Sequence, residues 1–258
     1  MAQLQAAHFS RASTSKLAAS LAKPASFKLL YWPINALGTT SREMLEYGGA
    51  KWENLSQSPD NWGQERLQTP FHVLPVLYIK TEDENDLVLS EAIVVEHYLA
   101  KQFSLLGDNE YEENLIKMFH NSSHLFQAAF AQGVTLCSPD VKERQLAAFL
   151  NNTLPTWIQT HEKHLHDNGN NGHYVGEKLS LADIRTAVAI EHLTLQPQAA
   201  QIMEVINKSE PLIKVKETVA KDPKIAAWRA SEQGRKLTEA SKAFFTNPPF
   251  ASKPPPKN

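Results

Sequence analysis

The sequence predicts an α/β unit followed by an all-helical one. Three observations carry that expectation. Four short β-rich runs fall between residues 27 and 90, no convincing strand pattern occurs from Tyr111 onward, and 258 residues exceed one average domain.

Taken in order, "FKLLYW" at 27–32 reads as a strand that runs into Tyr31-Trp32-Pro33. Thr40 to Tyr47 reads as a helix ended by Gly48-Gly49, because glycine accepts the left-handed conformation that closes a helix. "AKWENL" is a candidate second strand. "VLPVLYIK" and "DLVLS", separated by the polar "TEDEN", read as an antiparallel hairpin whose charged turn is solvated. "EAIVVEHYLAKQF" has helical spacing. Residues 27–104 therefore form a β-α-β, β-β-α unit, and 108–245 a helical unit broken at "CSPD", "HDNGNNGHYVG", "LQPQ" and "DP". Within it, "SLADIRTAVAIEHL" has Ser180 placed to cap a helix and Asp183 to reach back to its free N–H groups, with Leu181, Ile184, Val188 and Leu193 facing inward.

Composition excludes several function classes. A formal net charge of −2 gives no general attraction to phosphate backbones or anionic lipid, so neither nucleic acid nor a membrane is an expected partner. No apolar run approaches the roughly 20 residues that span a bilayer. The single cysteine, Cys137, rules out internal disulfides, CxxC redox chemistry and cysteine-based zinc sites. His161, His164, His166 and His173 are close in sequence but not on one helical face, and a solvated helix end is the expected reading, with no metal. Residues 1–26 are rich in Ala and Ser, and no acidic residue precedes Glu43. They read either as a disordered extension of a cytoplasmic protein or as a mitochondrial transit peptide. The proline-rich 246–258 reads as a flexible tail.

With these elements in place, four markers occur in one order. Leu74-Pro75 heads the third strand, Glu91-Ala92 opens the helix after the fourth, Ser180 to Asp183 opens a buried helix, and "PLIKVKETVAKDPKIAAW" ends near Ile225 and Trp228. The chain over about 27–235 thereby resembles the cytosolic glutathione transferases, with a thioredoxin-like first domain and an all-α second domain. It is most similar to the sigma-like, tyrosine-type branch, whose pattern lies on Tyr31 to Phe71 without a gap.

The resemblance implies a transferase that adds the glutathione thiolate to a small electrophilic hydrophobic substrate, with no tightly bound cofactor and glutathione as co-substrate. It implies that the Tyr31 hydroxyl contacts the sulfur, that Trp62 and Arg66 hold the glycyl end, and that Val73, Leu74 and Pro75 present backbone to the cysteinyl part. Glu91 and Ala92 fall where the family holds the γ-glutamyl group, Trp32 is a wall of the hydrophobic pocket or packing, and a homodimer is implied. The chain also departs from the pattern. Ala92 stands where the family has serine, "PINALGTT" lacks the arginine and glutamate of the sigma-like first loop, and Ser123, His124 and Leu125 replace an acid that reaches across the dimer. These departures keep two alternatives in view, a non-catalytic binding or scaffold protein and a glutathione-dependent isomerase.

Overall fold

The structure, a computed structural model, describes residues 17–248. It divides into two units at Leu105/Leu106. In the first, β1 (Pro24–Tyr31), α1 (Thr39–Tyr47), β2 (Trp52–Ser56), α2 (Trp62–Glu65), β3 (Val76–Thr81), β4 (Asp86–Ser90) and α3 (Ala92–Gln102) succeed one another, with a tight turn at Arg66–Gln68. The sheet order is β2-β1-β3-β4. β1 runs parallel to β2 and antiparallel to β3, and β3 is antiparallel to β4. This is the thioredoxin-like arrangement expected from the sequence.

Strand register brings the candidate site residues to one side of the sheet. Leu30 pairs with Leu55 and Val76, Tyr31 pairs with Ser56, and Val76 pairs with Ser90. The ends of β1, β2 and β4 and the start of β3 therefore share one edge of the sheet. The core beneath that edge is made by Leu29, Leu77, Met44, Leu45, Val95 and Leu99, all fully buried and each contributing roughly 1.5–3 kcal/mol by removal from water. α1 stops where expected: the N–H of Gly48 bonds the carbonyl of Met44, and Gly49 comes next at φ 63°.

One boundary differs from the sequence expectation. Composition places residues 17–26 in the extension, yet 17–21 are helical and the strand begins at Pro24. The reason is a set of contacts remote in sequence. The Ser20 hydroxyl donates to Asp83 Oδ2 at 2.6 Å, the Tyr98 hydroxyl to the Leu21 carbonyl at 3.0 Å, and the Glu82 N–H to the Lys23 carbonyl at 3.0 Å. Hydrogen bonds from Ser20 and then Thr81 hold the Asp83 carboxyl down to about 2. Pro24 is tolerated because the first residue of a strand can lack an N–H. The rest of the expected extension, 1–16, and positions 249–258 of the expected tail lie outside the described residues; Thr246 still belongs to the last helix.

The second unit comprises α4 (Glu110–Phe130), α5 (Pro139–Ala148), α6 (Leu154–Asp167), α7 (Leu181–Thr194), α8 (Ala199–Ile206), α9 (Glu210–Lys221), α10 (Pro223–Ala230) and α11 (Glu232–Thr246). Wider π-helical turns at Ala131–Thr135 and Phe149–Thr153 flank α5. Ser180 and Asp183 form the capping box expected, and Leu181, Ile184, Val188 and Leu193 are buried. α4 and α7 lie side by side in parallel: Ser123 Oγ meets Thr186 Oγ1 at 2.8 Å, the Phe130 ring lies 6.4 Å from that of His192, and Thr135 donates to Gln196 Oε1 at 3.1 Å.

Candidate active site

Tyr31 is the last residue of β1 and is only 5% exposed. Its position is set from three sides. The Leu37 N–H donates to the phenol oxygen at 3.0 Å, so the oxygen serves there as acceptor. The ring lies against Gly38, where an added Cβ would sit 2.5 Å from Tyr31 Cγ, so this approach requires glycine. The Arg42 guanidinium carbon is 5.4 Å from the ring centroid, on α1.

Arg42 is fully buried and is not among the residues that the sequence marks out. Its Nη2 donates to the Trp32 carbonyl at 2.8 Å, Nη1 to the Ile34 carbonyl at 2.7 Å, and Nε to Asn54 Oδ1 at 2.9 Å. It thereby ties the turn after Tyr31 to both α1 and β2. Burial pulls its pKa down to about 10, with Tyr31 opposing, so the group stays charged at neutral pH.

The other residues named from the sequence lie along the same sheet edge. Trp62 opens α2 after β2 and meets Trp32 edge to face at 5.3 Å, both rings half-buried. Gln57 steadies α2 by donating to Glu65 Oε2 at 2.6 Å. Arg66 comes directly after α2, at the start of the Arg66–Gln68 turn, and is exposed. Val73 and Leu74 are half-buried just before β3, and the Leu74–Pro75 peptide is cis.

At the far end of the edge, Glu91 precedes α3 at φ 72° and ψ 123°, a conformation that costs a side-chain-bearing residue on the order of 1–3 kcal/mol. Ala92 begins the helix, and no side chain caps its first turn. The Ser90 hydroxyl, 7% exposed, has no hydrogen-bond partner among the described residues. A strained residue, an orphaned hydroxyl and uncapped helix N–H groups thus coincide at one point, which suits an anionic ligand group.

The histidines of the helical unit do not converge. His161 is buried between the Tyr174 hydroxyl at 2.5 Å and the Ser122 hydroxyl at 2.9 Å. His164 packs on Phe119 with rings 5.0 Å apart, His166 meets Asn170, and His173 meets Asp183 at 3.2 Å. Among the described residues no group of three or more His, Cys, Asp or Glu is arranged to hold a metal. Desolvation, then the neighbouring His164, lowers the His161 pKa to about 3, so it is a neutral core residue. Cys137 is half-buried, its thiol donating to the Val134 carbonyl at 3.4 Å. Of the three residues at the acid-lacking position on α4, Ser123 is buried against Thr186 while Leu125 is 57% exposed.

Comparison with known proteins agrees with this fold. Residues 128–232 match the family model described as glutathione S-transferase, C-terminal domain. A glutathione S-transferase of Dirofilaria immitis is 29% identical over 216 residues, covering 82% of this chain and 96% of its own. The prostaglandin synthase D of Nilaparvata lugens superposes with a TM-score of 0.69 at 25% identity, over 80% of this chain and 98% of that one. A sigma class glutathione transferase of Fasciola hepatica shares the fold, with a TM-score of 0.70 at 20% identity over 81% of this chain and 98% of that chain. Over both units the chain is similar to the cytosolic glutathione transferase superfamily.

Proposed function

We propose that this protein is a glutathione transferase in which the tripeptide lies along the shared sheet edge and Tyr31 stabilises its thiolate. The observation that carries the reading is the Tyr31 hydroxyl, fixed at the strand end by the Leu37 N–H that it accepts; a phenol is a group that can donate to a sulfur. From β2 to β4 the edge spans three strand spacings, about 14 Å, enough for a tripeptide of about 10 Å or more. In this arrangement Trp62 and Arg66 hold the glycyl end, Val73, Leu74 and Pro75 present backbone to the cysteinyl part, and the γ-glutamyl carboxylate meets the α3 N-terminus at Glu91 and Ala92. Trp32, packed edge to face on Trp62, forms a wall for the hydrophobic substrate.

A free thiol of pKa roughly 8.5 is only a few per cent thiolate at neutral pH, and the thiolate is the nucleophile. A phenol O–H donated to the sulfur favours the anion over the neutral thiol. The thiol proton leaves to solvent. The sulfur lone pair then forms the new C–S bond, displacing a leaving group or adding across an activated double bond.

Ala92 removes one hydroxyl from the γ-glutamyl end, but the α3 N–H groups and Ser90 remain there. Calorimetry with glutathione, followed by conjugation rates of the parent and Tyr31→Phe, tests the reading. Binding at or below millimolar concentration and a large loss of rate in Tyr31→Phe are expected; absent binding overturns it. The likeness to the prostaglandin synthase D of Nilaparvata lugens favours a second outcome of the same thiolate, isomerisation of a substrate to which it adds and from which it leaves.

The same reading includes a homodimer in the cytoplasm. On α4, Tyr111, Met118 and Leu125 are exposed at intervals of seven residues and form one apolar stripe, while Phe71 of the first unit is 63% exposed.

A further inference from the structure

A fully buried guanidinium is ordinarily matched by a carboxylate. Arg42 is not: among the described residues it bonds only two backbone carbonyls and the Asn54 amide oxygen, all neutral, and no carboxylate pairs with it. Beside this uncompensated charge lies the ring of Tyr31. The first loop, "PINALGTT", carries no cation of its own.

We propose that Arg42 is a positioning residue for the sulfur: its guanidinium clamps the Trp32–Ile34 turn and places a buried positive charge behind the Tyr31 phenol, whose missing counter-ion is the glutathione thiolate. The inference rests on the reading of Tyr31 as sulfur donor. It explains why a costly buried cation sits on α1 at this point, and why an arginine is used. A planar, forked group reaches two acceptors in the turn and a third on β2 while remaining charged.

Distance and dielectric set the magnitude. A unit charge about 8 Å from the sulfur, in a medium of effective dielectric about 20, is worth about 1.5 units of thiol pKa, and partial screening brings this to about one.

The test compares the full-length parent, Tyr31→Phe, Arg42→Met and Arg42→Lys. Circular dichroism reports folding, the ultraviolet absorbance of the thiolate in the glutathione complex gives its pKa, and conjugation to an aryl halide gives kcat and KM across pH. Arg42→Met is expected to raise the bound thiol's pKa by about one unit, close to a ten-fold loss of rate below that pKa. Arg42→Lys, which keeps the charge and loses the clamp, is expected to keep the pKa within about 0.3 unit while kcat falls several-fold. A folded Arg42→Met with the parental pKa overturns the proposal. If Arg42→Met does not fold, Arg42→Lys decides: parental kcat and pKa together overturn the clamp. Tyr31→Phe separates the two levels. If it leaves the pKa unchanged, or if the parent binds no glutathione, the underlying reading fails and the proposal with it; if it shifts the pKa and Arg42→Met does not, only the proposal fails.

Discussion

Two fully buried charges, one in each unit, are treated in opposite ways by the fold. Asp183 on α7 accepts from the Ser180 N–H at 2.8 Å, the Ser180 hydroxyl at 2.9 Å, the Tyr174 N–H at 2.8 Å and His173 Nδ1 at 3.2 Å. Four donors converge on its two oxygens, and the loop after α6 is fastened to the start of α7. Arg42 engages three of its five N–H donors, and among the described residues only neutral oxygens and the Tyr31 ring meet its charge, with no carboxylate. A buried charge surrounded by its full complement of donors holds a structure together. One solvated by dipoles alone is poised for an anion that arrives or forms.

The largest expected effect at neutral pH tests the first half of that contrast. Asp183→Ala strips four donors of their acceptor at 0% exposure and is expected to cost about 3–4 kcal/mol of unfolding free energy in urea denaturation. A loss below about 1 kcal/mol would break the comparison.

A comparable effect, spread over pH, concerns the neighbouring His161, held neutral in the fold with a pKa near 3 against 6.5 in the unfolded chain. Between these values the unfolded state binds the extra proton, so its contribution is fully present above pH 6.5 and is lost as pH falls toward 3. The parent is expected to lose about 4 kcal/mol more than His161→Gln across that window, read from denaturation at several pH values. Parallel pH curves would show that His161 is not held neutral.

The smallest effect sharpens the second half. Ala92→Ser adds a hydroxyl at the uncapped start of α3 and is expected to tighten glutathione binding about ten-fold by calorimetry, with stability changed by less than about 0.5 kcal/mol. Unchanged affinity would place the γ-glutamyl group elsewhere.

Most of the α/β unit was legible because its elements are announced locally: an apolar run into Tyr31-Trp32-Pro33, Gly48-Gly49 after a helix, and a polar turn between two β-rich runs. The capping box at Ser180 and Asp183 was legible for the same reason, being a short local pattern. The features that were missed depend on contacts remote in sequence. Pro24 pairs with Thr81 and Ser20 bonds Asp83, so the fold reaches into a stretch whose Ala/Ser composition reads as a tail. Arg42 lies in "TTSREMLEY", a helix with few apolar residues, where an arginine looks exposed. Yet Thr39 to Leu45 are all buried, with α3 packed on the helix and the turn after Tyr31 folded onto Arg42. The π-helical turns around α5 have no local signature that distinguishes them from ordinary helix.

The central claim is that the Tyr31 hydroxyl activates a glutathione thiol at the sheet edge. It is tested most directly by titrating the thiol in the glutathione complexes of the parent and Tyr31→Phe, tracking thiolate absorbance against pH. A pKa well below the roughly 8.5 of a free thiol is expected in the parent, raised by about one unit or more in the variant. The same pKa in both complexes would contradict it.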